Sequence, residues 1–105
     1  MTQSPDGTGR PARRLVVADK TMPALARHIR LRMDETRQQW VLLAPERLLT
    51  PSETAVAVLK LCNGTRTVAA IAAELAAEFD APEADILADI LPLLQELADQ
   101  SYLTA

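Results

Sequence analysis

The stretch 40-WVLLAPERLLT-50, closed by a second proline at Pro51, restricts this chain more than any other. Proline has no N–H to give a β-ladder, so Pro45 must end any strand that runs through Trp40 to Ala44. Pro51 suits the first turn of a helix. Only 46-ERLL-49 lies between the two, and four residues make a short strand rather than a helix. Sheet must therefore give way to helix inside this window. The last strand before the change is short and sits at an edge.

The flanking sequence fits that frame. In 28-HIRLRMD-34, Ile29, Leu31 and Met33 alternate with polar residues, the period of a half-buried strand. Asp34-Glu35-Thr36-Arg37 supplies turn formers, and 38-QQWVLLA-44 reads as the return strand. It is apolar on both faces from Trp40 on and so belongs in the centre of the sheet. After Leu49 the period lengthens to that of helices. Thr50-Pro51-Ser52-Glu53 predicts a helix start, with Thr50 as cap and Glu53 completing a capping box. Ala55, Val58, Leu59 and Cys62 share one face of this first helix, and Asn63-Gly64 stops it. Thr67 caps a second helix with Val68, Ile71, Ala72, Leu75 and Phe79 on its buried stripe. Asp80-Ala81-Pro82-Glu83 opens a third, which buries Ile86, Ile90, Leu93, Leu94 and Leu97. Pro92 inside it predicts a kink. Tyr102-Leu103 is expected to dock back on the core.

The expectation is an α+β, winged-helix-like domain: a three-stranded antiparallel sheet (hairpin plus short edge strand) followed by a three-helix bundle. It spans 27–105. Residues 1–26 carry Pro5, Gly7, Gly9, Pro11 and Pro23 without a sustained period, and read as a disordered N-terminal tail or linker.

Charge narrows the function. All 11 Lys and Arg lie between Arg10 and Arg66, whereas Val68–Ala105 holds Glu74, Glu78, Asp80, Glu83, Asp85, Asp89, Glu96 and Asp99 with no cation. A winged-helix shape invites a transcription-factor reading. Yet a third helix that offers Glu83, Asp85, Asp89, Glu96 and Asp99 is repelled by phosphates, so no nucleic-acid partner is expected. Catalysis needs a tuned nucleophile or acid–base pair, and one His (His28), one Cys (Cys62) and scattered acids do not form one. No catalytic residue, metal site or cofactor is expected. The acid pairs Glu74/Glu78 and Asp85/Asp89 read as solvated helix faces. No apolar run is long enough for a membrane span, no signal-peptide core is present, and a lone cysteine suits a reducing cytoplasm.

The edge remains. An edge strand shows unpaired N–H and C=O groups to which another chain can add. Leu48 and Leu49 sit on it, and the third helix can face the same groove with Ile86, Ile90 and Leu93 flanked by Asp85 and Asp89. The blander alternative makes Leu48 core, Leu49 a neutral surface residue and the isoleucines ordinary packing.

The run from Val41 to Leu97 resembles the PqqD family of pyrroloquinoline quinone biosynthesis. The resemblance rests on Leu42-Leu43 then Pro45-Glu46, Thr54-Ala55, Leu59 before Asn63-Gly64, Thr67-Val68, Ile71-Ala72, Leu75, Phe79-Asp80 and Asp89-Ile90. It covers roughly Arg27 to Leu103. It implies a peptide chaperone, not an enzyme, which binds the precursor peptide PqqA and presents it to the radical S-adenosylmethionine enzyme PqqE. Some members are fused to the oxidase PqqC. By the same resemblance the peptide would add as a strand along Glu46, Arg47, Leu48 and Leu49 and lie against Asp85, Ile86, Asp89, Ile90 and Leu93. A leader-recognition domain of another modified-peptide pathway would use the same surface.

Overall fold

The computed structural model describes residues 14–105; residues 1–13, and with them the first part of the expected tail, lie outside the described residues. The element order is β1 (Ala24–Leu25), β2 (Arg30–Asp34), β3 (Gln39–Ala44), β4 (Arg47–Leu49), α1 (Glu53–Lys60), α2 (Val68–Phe79), α3 (Glu83–Asp99) and β5 (Leu103–Thr104). The β2, β3 and β4 strands form an antiparallel sheet in that order, with β3 central as its two apolar faces predict. The β2–β3 turn closes where Asp34 Oδ1 accepts from the amides of Thr36 and Arg37, and Gln38 takes a left-handed φ of 53°. This is the expected α+β, winged-helix-like architecture. A further two-stranded pair, β1 with β5, was not expected.

Two apolar clusters hold the layers together. One lies among the helices: Val58 of α1, Val68 and Ile71 of α2 and Leu94 of α3 are each 0% exposed, joined by Leu75, Ile90 and Leu103. The other lies under the sheet and contains Ile29, Leu42, Leu59 and Tyr102. Neighbouring Val58 and Leu59 reach different clusters, so α1 ties sheet to helices. Burying each such side chain contributes about 1.5–3 kcal/mol. Cys62 belongs to the helical cluster; burial pushes its thiol up to about 12, and its Sγ–H donates to the Val58 carbonyl at 3.3 Å. It is a packing residue.

Several local expectations change. The boundary expected at residue 27 falls inside packed chain. Val17 is buried, β1 pairs with β5, and Gln95 of α3 clasps the segment by accepting from the Val17 amide and donating to the Leu15 carbonyl. The same segment serves α2: the carbonyls of Thr21 and Asp19 accept from the Val68 and Ala69 amides, which a helix start leaves without internal partners. At α1 the cap is Ser52, whose hydroxyl accepts from the Ala55 amide; the helix starts at Glu53, so no Thr50-led capping box forms. Thr67 caps α2 as expected; Gly64 is left-handed at φ 82° but does not stop α1, which ends at Lys60 with Leu61 as its cap. Asp80 does not cap α3. It ends α2 in the left-handed conformation, and Pro82 precedes α3 without a side-chain cap. Phe79 leaves the buried stripe: it is the last residue of α2, overhangs the core and is 53% exposed. The α3 helix continues unbroken through Pro92, and Tyr102 and Leu103 dock as expected.

Candidate functional site

The sheet ends at β4, whose outer edge has no partner strand among the described residues. Register sets which side chains this edge offers. Leu31, Leu42 and Leu49 stand opposite one another, as do Arg30, Leu43 and Leu48. Adjacent residues of a strand point to opposite faces, so the two rows lie on opposite sides. The row with Leu49 turns inward: Leu49 packs on the Ile29–Leu42–Leu59–Tyr102 cluster together with Leu97 of α3. Arg47, on the same side as Leu49, donates from Nη1 to the Tyr102 hydroxyl at 3.3 Å. The row with Leu48 turns outward, and Leu48 is 54% exposed. Glu46, Arg47 and Leu48 are thus exposed and Leu49 half-buried, the reverse of a buried Leu48 and a free Leu49.

On α3 the expected residues divide. Asp85 and Asp89 are exposed, and Ile86 and Leu93 are half-buried at the rim of the helical cluster. Ile90 is 2% exposed inside that cluster, where it supports the helix and offers no surface to a ligand. The residues that bring α3 to β4 are Leu97 and, just beyond the helix, Tyr102; neither was expected at the site. The spacing Ile86, Leu93, Leu97 is one helical stripe, so extending it one turn past Leu93 would have reached Leu97. Ile86 lies eleven residues before Leu97, about 16 Å along the axis. An added strand of five residues spans about 17 Å. It can lie beside β4 and still run along that stripe.

The electrostatics are lopsided. Exposed α3 residues Glu83, Asp85, Asp89, Glu96 and Asp99 make that helix acidic. Among the described residues, its one ion pair is at the C-terminal end: Arg14 donates from Nε and Nη2 to the two oxygens of Asp99, each at 2.9 Å. That hydrogen bond holds the Asp99 carboxyl below its usual range. Among the described residues, no group of His, Cys, Asp and Glu is arranged to hold a metal ion, and no helix is long and apolar enough to cross a membrane.

Fold and edge together define a class: a small winged-helix-like domain with, among the described residues, an unpaired edge strand beside its third helix. The family described as Coenzyme PQQ synthesis protein D (PqqD) matches residues 39–103, and the chain belongs to that family. A protein of Rhodopseudomonas palustris (strain BisB5) named "PqqA binding protein" is 50% identical over 93 residues, 89% of this chain and 91% of that protein. One of the same name from Xanthomonas oryzae pv. oryzae (strain KACC10331 / KXO85) is 51% identical over 83 residues, 79% of this chain and 90% of its own. The fold also resembles the solution structure of the PqqD truncation of Methylobacterium extorquens PqqCD, described as a functional, stand-alone recognition element for ribosomally synthesized, modified peptides. That match has a TM-score of 0.74 and 47% identity, and covers 85% of this chain and 95% of that one. A crystal structure of PqqD from Xanthomonas campestris matches with a TM-score of 0.55 and 39% identity, over 85% and 99% of the two chains.

Proposed function

We propose that this chain is a peptide chaperone of pyrroloquinoline quinone biosynthesis. It binds the precursor PqqA as a strand added to β4 and presents it to the radical S-adenosylmethionine enzyme PqqE. The observation that carries this reading is the unpaired outer edge of β4 with Leu48 exposed beside it. Main-chain hydrogen bonds along 46–49 supply affinity, and Leu48, Leu93 and Leu97 supply the apolar contacts that select the peptide. Asp85 and Asp89 sit where a basic peptide residue would be attracted. Holding the substrate on a domain that also meets the enzyme raises its local concentration there, which is the whole of the chaperone's contribution. An acidic α3 suits this role better than insertion into a DNA groove. The PqqC-linked architecture of the Methylobacterium relative fits a chain that acts beside the oxidase, in the cytoplasm.

Calorimetric titration with the precursor peptide, with and without the radical enzyme, tests the reading. One peptide per chain, with the enzyme joining the complex, is the expected result. No heat from the peptide in either case would overturn it.

A further inference from the structure

Arg47 stands exposed on the open edge strand, on the same side as Leu49 and so toward Tyr102 and Leu97. Its Nη1 donates to the Tyr102 hydroxyl at 3.3 Å. Tyr102 is 7% exposed, so that hydroxyl is carried by a ring fixed in the cluster under the sheet. The bond positions the guanidinium without neutralising it, because a tyrosine hydroxyl is uncharged at neutral pH. A guanidinium has five N–H donors, and apart from the one given to Tyr102 they meet no side-chain acceptor among the described residues.

Arg14, Arg37 and Arg66 each face a carboxylate of the chain itself: Asp99, Asp34 and Glu74. Arg27, Arg30 and Arg32 lie along or just before β2. Arg47 alone stands at the β4 edge. Ala44 is opposite it in β3, and Leu49 follows on its side. Among the described residues, neither Glu46 in the preceding turn nor Glu96 beside Leu97 forms an ion pair with it. A strand added to β4 would place a side chain directly across from Arg47, with Cβ atoms about 4.5–5.5 Å apart. Two residues along, on the same side, another would face Leu49; the one between them would face Leu48 on the outer side. Opposite charges across such a pair stabilise it and like charges oppose it. Arginine favours a carboxylate there, because its planar fork can take both oxygens. Across from Leu48 and Leu49, apolar side chains suit.

Given strand addition at β4, on which this rests, we propose that Arg47 is a specificity residue. It selects a peptide that carries an Asp or Glu two residues from an apolar residue, the acid across from Arg47 and the apolar side chain across from Leu49. The residue between them is apolar and meets Leu48. Arg47 thus supplies the cation of a groove whose helix wall is acidic, and Tyr102 holds that cation in place before the peptide arrives.

Calorimetric titration of the full chain with the precursor peptide is the test. Arg47→Gln should weaken binding roughly two- to fivefold, the size of one exposed ion pair, with an unchanged denaturation midpoint. Arg47→Glu should weaken it further, and Arg47→Lys should recover part of the loss. Tyr102→Phe keeps the charge and should lose less than Arg47→Gln; equal losses would reduce Arg47 to a brace and overturn the assignment. Affinity should fall with added salt more steeply for the unaltered chain than for Arg47→Gln. Exchanging each acid of the peptide in turn for its amide should expose one position whose loss disappears in Arg47→Gln, the mark of a direct pair. Arg47→Gln binding as tightly as the unaltered chain, or every acid exchange costing the same in both chains, would overturn the proposal. Precursor that fails to bind the unaltered chain would remove the chaperone reading and this assignment together; binding that ignores Arg47 would remove this assignment alone.

Discussion

The two edges of the sheet have been treated differently. The β2 edge is five residues long, and Arg30 and Arg32 stand exposed along it, with Arg27 and His28 exposed just before. Charges in such a row deter another strand from adding. At β4 the edge is three residues long, and an exposed leucine occupies its centre. Shortness limits adventitious pairing there; Glu46 and Arg47 are exposed beside Leu48, but Arg47 bonds the Tyr102 hydroxyl on the inner side, so the outer side of the edge is left to Leu48. One sheet thus has a guarded side and an open side, and the open side is the one braced by α3 through Leu97 and by Tyr102 through Arg47.

Breaking the support common to both edges should have the largest effect. Leu42 is 1% exposed in the central strand, and Leu42→Ala should cost about 2–5 kcal/mol, read as a lowered denaturation midpoint with loss of peptide binding. Next is Leu48→Lys, which gives the open edge the guard of the closed one. Folding should be preserved because Leu48 is exposed, while precursor affinity drops roughly tenfold or more, the loss of a buried leucine contact, as measured by calorimetry. Leu49 is a poorer choice, because its inward packing mixes binding with stability. Arg32→Val, which removes a guard from β2, should leave precursor affinity within about twofold. Self-association should become detectable by sedimentation, since an unguarded edge invites pairing.

The smallest expected effect concerns the brace at the end of α3. Asp99 titrates below its ordinary range because Arg14 bonds it, so the pair's contribution is present above that range and is lost as pH falls through the lowered value. In Asp99→Asn the carboxyl resonance and its acid-side titration vanish, and the amides of Arg14 and Leu15 should become nearly independent of pH in that window.

What was legible in the sequence was what proline, period and caps decide locally. Pro45 and the two-sided apolarity of Trp40 to Ala44 placed β3 in the centre and β4 at the edge. Thr67 marked the start of α2. The segment 14–26 was not legible, because its order comes from distant partners: Gln95 grips Leu15 and Val17, the Pro23 carbonyl accepts from the Gly64 amide, and Ala24–Leu25 pairs with a strand some eighty residues on. No local period records such contacts. Phe79 misled for a related reason. Its spacing fits the buried stripe of α2, but burial also needs a neighbour at that height, and as the last residue of the helix Phe79 is left 53% exposed. At the edge, alternation showed that Leu48 and Leu49 face opposite ways. Only the register with Leu42 and Leu43 shows which one faces in.

Amide hydrogen exchange with and without the precursor peptide measures the difference between the edges most directly. Peptide addition should slow exchange within 46–49 and leave 30–34 as they were. Protection that appears along 30–34 instead, or nowhere in the sheet despite saturating peptide, would contradict strand addition at β4.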